Sequence, residues 1–245
     1  MAWYWDIFIG FEMHFPNATS WTAFETVQSK AMGRFREERV LLRCRQSRPP
    51  TGKEAIIKVH MQIPTEFDLS ADERAKQATT SVSILTSTEL KFLSHLTEKG
   101  CPSTPRLLSH FQVEQAEDFP VPGGYLVCLL MEKLPGKMIM DFWDYDRAKR
   151  DRIREAFKAG WQDMIDASVW HHDEGRRNLL WDEETNKWYV STRTPIMTFD
   201  FDEFIKPSYI LDFEDATFMD EPEAWTDSEF IFWELARKRE GEVIL

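Results

Sequence analysis

The spacing of apolar residues changes its period several times along this chain, and the changes mark its elements. Residues 1–30 are rich in aromatic side chains at no fixed period; the segment reads as a lid, a cap or part of a small sheet. From Arg36 to Arg45 alternation is poor, but Val40-Leu41-Leu42 predicts a strand. Ser47 to Lys53 holds two prolines and a glycine among polar residues, which predicts a turn. Ala55-Ile56-Ile57-Lys58-Val59-His60 follows as a second strand, so 38–60 reads as a hairpin that Pro64 ends.

Helical spacing begins at Ser70. Ser70 with Glu73 makes a capping box, and a helix or helix pair is expected to about Glu98. Leu85, Leu90, Phe92, Leu93 and Leu96 fall partly in phase, and Gly100 with Pro102 and Pro105 supplies a stop. Leu107 to Phe111 reads as a strand, Pro120 to Gly124 as a turn, and Tyr125 to Met131 as a buried strand. Glu132 to Gly136 is the expected boundary, dividing the chain into 1–132 and 133–245. Tyr145 to Val169 predicts a helix with Ile153, Phe157, Trp161, Met164 and Ile165 on one face. Trp181 to Trp188 reads as a turn between short strands. A last helix is expected from Pro222-Glu223 to about Arg239.

Composition narrows the function classes. The chain has 245 residues, 42% hydrophobic and 29% charged, enough for a buried core. A formal net charge of −12 argues against a general nucleic-acid partner, since phosphates would be repelled. Cys44, Cys101 and Cys128 are odd in number and without paired spacing. They predict a reducing, cytoplasmic setting with neither a zinc site nor a disulfide framework. The apolar start is short, lacks a basic segment and is broken by Asp6 and Glu12, so no signal peptide is expected. No apolar run reaches membrane-spanning length, so no membrane partner is expected either. Asn17-Ala18-Thr19 fits a glycosylation pattern that has no context without secretion.

Candidate chemistry centres on His171-His172-Asp173-Glu174-Gly175-Arg176-Arg177-Asn178, the pattern H-x-D-x-x-x-x-N, and on Tyr209-Ile210-Leu211-Asp212-Phe213-Glu214, an apolar strand ending in an acid. Together these resemble the catalytic loop and metal-binding strand end of the protein-kinase-like fold. The resemblance is to its small-molecule branch, the aminoglycoside phosphotransferase and choline kinase-like families. The Trp-rich chain with a divergent first part is also similar to uncharacterised fungal kinase-like proteins. The resemblance covers residues 38–218. It implies a two-lobed α+β architecture with a small N-terminal sheet lobe and a mainly helical C-terminal lobe.

It also implies roles. Asp173 would accept the proton of an acceptor hydroxyl, and His171 would brace the loop. Asn178 and Asp212 would hold magnesium, which takes hard oxygen ligands. Lys58, in a strand like V-A-I-K, would contact the phosphates of ATP. A helix carboxylate would pair with Lys58, Glu89 before Glu73. The stretch Met131-Glu132-Lys133 resembles the hinge whose backbone binds adenine. The expected partners are the nucleotide and a small-molecule acceptor.

Four departures from the family pattern stand out. Only Gly33 sits where a Gly-rich loop belongs. Asp212 comes 34 residues after Asn178, and the insertion carries Asp200 and Asp202 as competing metal ligands. Gly175 stands where Ser/Thr protein kinases carry lysine, and 31 residues follow Glu214. These disfavour a protein substrate. Two readings compete: a phosphotransferase acting on a small hydroxyl compound, and a catalytically weak or inactive kinase-like (pseudokinase) binding module. A plain helical interaction protein leaves the order of the motifs unexplained.

Overall fold

The computed structural model describes residues 7–66, 68–183, 208–239 and 242–245. Its first unit comprises Met1–Leu90 and Arg106–Lys133. Four strands open it: β1 (Glu12–His14), β2 (Ser20–Met32), β3 (Glu37–Arg48) and β4 (Glu54–Gln62). Two helices follow, α1 (Ala71–Ala75) and α2 (Ile84–Lys99), then β5 (Leu107–Glu114) and β6 (Tyr125–Glu132). All six strands form one antiparallel sheet in the order β1-β2-β3-β4-β6-β5.

Strand alternation gives this sheet two unlike faces, because successive side chains point to opposite sides. Val40, Leu42 and Cys44 of β3, Ala55, Ile57, Val59 and Met61 of β4, and Leu126, Cys128 and Leu130 of β6 form one apolar core. Phe8, Met13, Phe15 and Trp21 join it, with Phe111 and Phe119 packed against them. Phe15 meets Phe111 edge-on at 5.0 Å between centroids. Among the described residues at the chain start, Phe8, Phe15 and Trp21 are therefore part of this core, while Phe11 is exposed. Each fully buried Ile or Leu there contributes about 1.5–3 kcal/mol. The opposite face carries Glu37, Arg39, Lys58 and His60, all buried.

The capping box predicted at Ser70 is present: the Ser70 amide donates to Glu73 at 2.9 Å, and the Glu73 amide donates to the Ser70 hydroxyl. It starts the five-residue α1, and α2 is separate. Gly100, at φ +67, follows the last turn of α2, its amide donating to Thr97 O.

The second unit comprises Lys91–Pro105, which includes the latter part of α2, and Leu134–Leu245. It holds β7 (Lys137–Met138), α3 (Arg147–Asp166), β8 (Val169–His171), β9 (Leu179–Trp181), β10 (Ser208–Ile210) and β11 (Ala216–Phe218). Then come α4 (Ser228–Phe232), β12 (Arg237–Arg239) and β13 (Glu242–Ile244). The long α3 is capped by Asp146, which accepts from the Lys149 amide at 2.8 Å. It buries Ile153, Phe157, Trp161, Met164 and Ile165, the face the sequence marks. Gly136 lies against the Trp181 carbonyl, where a Cβ would clash with backbone at 2.6 Å.

The last helix is shorter than its periodicity predicts. It ends at Phe232, and the chain turns into the β12–β13 hairpin. Glu234 adopts the left-handed region at φ 59, and the Leu235 amide donates to Phe230 O at 2.7 Å, which closes the helix end. This turn leaves Phe230, Trp233, Leu235 and Ala236 buried together.

Candidate active site in two parts

The part in the first unit is built on strand period and one helix turn. Lys58 and His60 are two residues apart on β4, and Glu37 and Arg39 two apart on β3, with Arg39 opposite His60 in register. On α2, Thr86 and Glu89 are the buried positions of the first turns. Lys58 Nζ donates to Glu89 Oε1 at 2.7 Å. His60 Nε2 lies 3.1 Å from Glu89 Oε2, and its Nδ1 lies 3.3 Å from Glu37 Oε1. Arg39 Nε donates to Glu37 Oε1 at 3.0 Å, and the Thr86 and Tyr125 hydroxyls donate to Oε2 at 2.6 and 2.9 Å.

Burial alone would raise both carboxyls. For Glu37 it is outweighed by the hydrogen bond and charge of His60 and by the Ser83 and Thr86 hydroxyls, so its pKa falls well below the carboxylate range. For Glu89 burial is outweighed by the charge of Lys58 and by His60, and its pKa is also lowered. Burial and the charge of Glu37 raise the Tyr125 phenol. Glu73, the alternative partner for Lys58, is engaged in its own cap.

Sequence reading did not single out Glu37, Arg39, His60, Thr86 or Tyr125. Polar residues two apart, Glu37 and Arg39 on β3 and Lys58, His60 and Gln62 on β4, were the available signal. The poor alternation read from Arg36 to Arg45 resolves once Glu37 sets the phase. Glu132, the hinge candidate, has its amide donating to Arg106 O at 2.9 Å, and its carboxylate accepts from Arg106 Nε at 3.0 Å. That amide is thus committed to Arg106, just ahead of β5. Gly33 begins a tight 3₁₀ turn, Gly33–Phe35, that closes the β2–β3 connection with Arg36 at φ 49.

The part in the second unit is a loop held by a strand end. Strands β9 and β10 pair antiparallel with Ile210 opposite Leu179, which brings Leu211 beside Asn178. The Leu211 amide donates to Asn178 O at 2.9 Å, and the buried His171 ring donates from Nε2 to Leu211 O at 2.9 Å. His171 also packs on Phe213 and Trp233, at 5.4 and 5.2 Å between centroids. Asn178 Nδ2 donates to the Asp173 backbone oxygen at 2.8 Å and to Asp173 Oδ2 at 3.0 Å. Arg177 Nη2 donates to Asp173 Oδ1. Gly175, at φ +148, lies where a Cβ would strike the Arg177 guanidinium.

Asp212 follows directly at φ 64, an uncommon conformation for a non-glycine residue and one that re-aims the chain at the strand end. The arrangement thus ties Asp173, Asn178 and the backbone of Leu211, next to Asp212, into one hydrogen-bonded piece. Nδ2 of Asn178 is spent on Asp173, which leaves Oδ1 as its hard donor. With the Asp212 carboxylate this is a ligand chemistry that fits magnesium. Asp200 and Asp202 lie outside the described residues.

No family model matches the chain, and no curated protein does. Solved kinase structures do. The bifunctional kinase-methyltransferase WbdD matches at 17% identity and a TM-score of 0.45, over 91% of this chain and 39% of that one. The Cydia pomonella granulovirus kinase PK-1 matches at 12% and 0.44, over 84% and 55%. The BubR1 kinase domain matches at 10% and 0.49, over 86% and 51%. The chain thus spans about half or less of the length of these proteins. Its own elements, an antiparallel sheet unit with a strand lysine paired to a helix glutamate and a second unit with the long α3, short strands and an H-x-D loop, make it a two-lobed α+β chain of protein-kinase-like fold. Among the described residues no helix is long and apolar enough to cross a membrane.

Proposed function

We propose that this chain is an ATP- and magnesium-dependent phosphotransferase acting on the hydroxyl of a small molecule, in the aminoglycoside phosphotransferase and choline kinase-like branch. The observation that carries the reading is the tie between the Asp173–Asn178 loop and the Leu211–Asp212 strand end. Phosphoryl transfer asks little covalent chemistry of a protein; it needs charge neutralised and the acceptor oriented. Asp173 takes the acceptor hydroxyl's proton, and Asn178 fixes its carboxylate by a 3.0 Å bond. Asn178 Oδ1 and Asp212 hold magnesium, which when bound neutralises charge on the nucleotide phosphates. Lys58, kept extended by Glu89, makes a phosphate contact. Gly175, without a side chain two positions after Asp173, suits a small acceptor better than a peptide. The net charge of −12 leaves nucleic acid out. A cytoplasmic setting accords with three free, buried cysteines.

One observation favours a binding module instead. The β2–β3 connection offers a tight turn with a single glycine in place of a flexible Gly-rich loop, which weakens phosphate clamping by backbone amides. Thermal-shift titration with ATP, with and without magnesium, followed by an ATPase assay separates the readings. Magnesium-dependent stabilisation with turnover is expected. Stabilisation without turnover supports the binding module, and no stabilisation at all refutes both.

A further inference from the structure

Two irregularities interrupt the pairing of β2 with β3, and each adds one residue to β2. Ala23 pairs with Cys44 and Glu25 with Arg43, which leaves Phe24 over; Thr26 pairs with Leu42 and Gln28 with Leu41, which leaves Val27 over. These are β-bulges, which re-aim a side chain by inserting a residue that has no cross-strand partner. Both inserted residues are apolar and exposed, Phe24 at 37% and Val27 at 50%. With Ile9, 41% exposed, they line one open groove of about 520 Å³. The main chain brings Ile9 there: the Gly10 amide donates to Ala23 O at 2.8 Å, and the Ala23 amide donates to Phe11 O at 3.2 Å. On the side of β2 away from β3, β1 reaches only from Ser20 to Thr22. Among the described residues no strand pairs with the edge from Phe24 to Met32. Bulges and charges usually guard such an edge against a second chain; these two bulges are filled by phenylalanine and valine instead.

The rim of the groove carries both signs. Glu25 is exposed and accepts from Arg43 at 2.6 Å. Arg43 and Arg45 lie over the Phe24 ring at 5.2 and 5.1 Å from its centroid. Lys30 is exposed farther along β2. A partner of a single sign meets repulsion at one end of this rim or the other. A second copy of the chain does not, because a two-fold interface joins one patch to itself and needs acid and base on the same patch. We propose that this groove and edge form an interface with a second copy, the two β2 strands packed antiparallel about a two-fold axis beside Val27. Glu25 of each copy then comes opposite Lys30 of the other, and the apolar side chains that the bulges project are covered at the centre. The interface lies wholly within the first unit and does not depend on the phosphotransferase reading.

The test is sedimentation equilibrium of the whole chain up to about 500 μM, a range in which a small interface is populated. A reversible monomer–dimer equilibrium is expected; a monomer throughout, or growth past two copies, overturns the proposal. Val27→Asp should weaken the dimer at least about tenfold, since it sets a charge against apolar side chains. An unchanged dimer puts the interface elsewhere and overturns the proposal too. Lys30→Glu should weaken the dimer by setting two acids face to face, and adding Glu25→Lys should restore it, because each pair regains opposite signs. A single exchange without effect, or a loss without restoration, removes the two-fold arrangement. Should a variant fail to fold, amide hydrogen exchange of the wild type decides. Residues 24–32 should be protected at high concentration and not at low, and equal exchange at both refutes the interface.

Discussion

Replacing Glu37 by glutamine tests the buried polar face of the sheet most directly. The carboxylate is fully buried and accepts from Arg39, Thr86 and Tyr125 at 3.0, 2.6 and 2.9 Å. Hydrogen bonds to a buried charge are worth about 1.5–3 kcal/mol each, and removing one partner of a buried ion cluster costs about 3–5 kcal/mol. Glutamine keeps one carbonyl oxygen, so part of the cluster stays satisfied and the lower total, about 3–5 kcal/mol, is the better guide. For a chain of 245 residues each kcal/mol moves the midpoint by about 2–4 °C, so Glu37→Gln should unfold roughly 10 °C lower at pH 7. Acid supplies a second reading. Glu37 binds its proton more weakly in the fold than the ordinary value of 4.5, because His60 and the hydroxyls outweigh burial. Its stabilisation is therefore complete above about pH 4.5 and is lost as pH falls further, where the unfolded chain takes up a proton that the folded one refuses. Wild type should lose stability between pH 4.5 and 3 more steeply than Glu37→Gln. Thermal unfolding at pH 7 and urea unfolding across that acid range, both monitored by circular dichroism, measure the two. A variant within 3 °C of wild type, with the same acid slope, would refute the argument that this carboxylate is an ionised hub.

Three further outcomes follow from the second unit. Asp212→Ala should abolish magnesium-dependent nucleotide turnover while Asp202→Ala keeps most of it; the opposite ranking in an ATPase assay would reassign the metal ligand to the 182–208 insertion. Asp173→Ala should leave the dissociation constant for magnesium-ATP within a few-fold and lower transfer by several orders of magnitude, since it removes orientation of the nucleophile and no phosphate contact; a parallel loss of binding would argue against that role. Burial, with Glu174 and Glu223 adding, pushes the Glu229 carboxyl up to about 7 against the hydrogen bond from Trp161. The fold thus prefers it protonated, so the penalty is absent below about pH 4.5, grows towards pH 7 and is full above. Glu229→Gln should be more stable than wild type at pH 8, by on the order of 3 kcal/mol, and equal to it at pH 4; chemical denaturation at the two pH values decides.

The sequence by itself determined whatever is written in local period. The hairpin over 38–60, the capping box at Ser70, the apolar face of α3 and the order from strand lysine to strand aspartate are legible because side chains repeat every two residues in strands and about every 3.6 in helices. The H-x-D loop is equally local: Asp173 and Asn178 meet five residues apart. Tertiary structure decided everything that depends on partners far along the chain. Lys58 and Glu89 are 31 residues apart, so the resemblance named that pair where local period could not, and Glu37 and Tyr125, 88 apart, had neither signal. Leu85 and Leu90 look like the inward face of α2, yet Thr86 and Glu89 are the buried positions there, because the sheet face they meet is polar. Phe8, Phe15 and Trp21 show no period of their own, since their positions are set by the apolar face that they cover. Helical spacing near the C-terminus continues past Phe232, but burying Trp233, Leu235 and Ala236 together requires a left-handed turn at Glu234, and packing overrides propensity there.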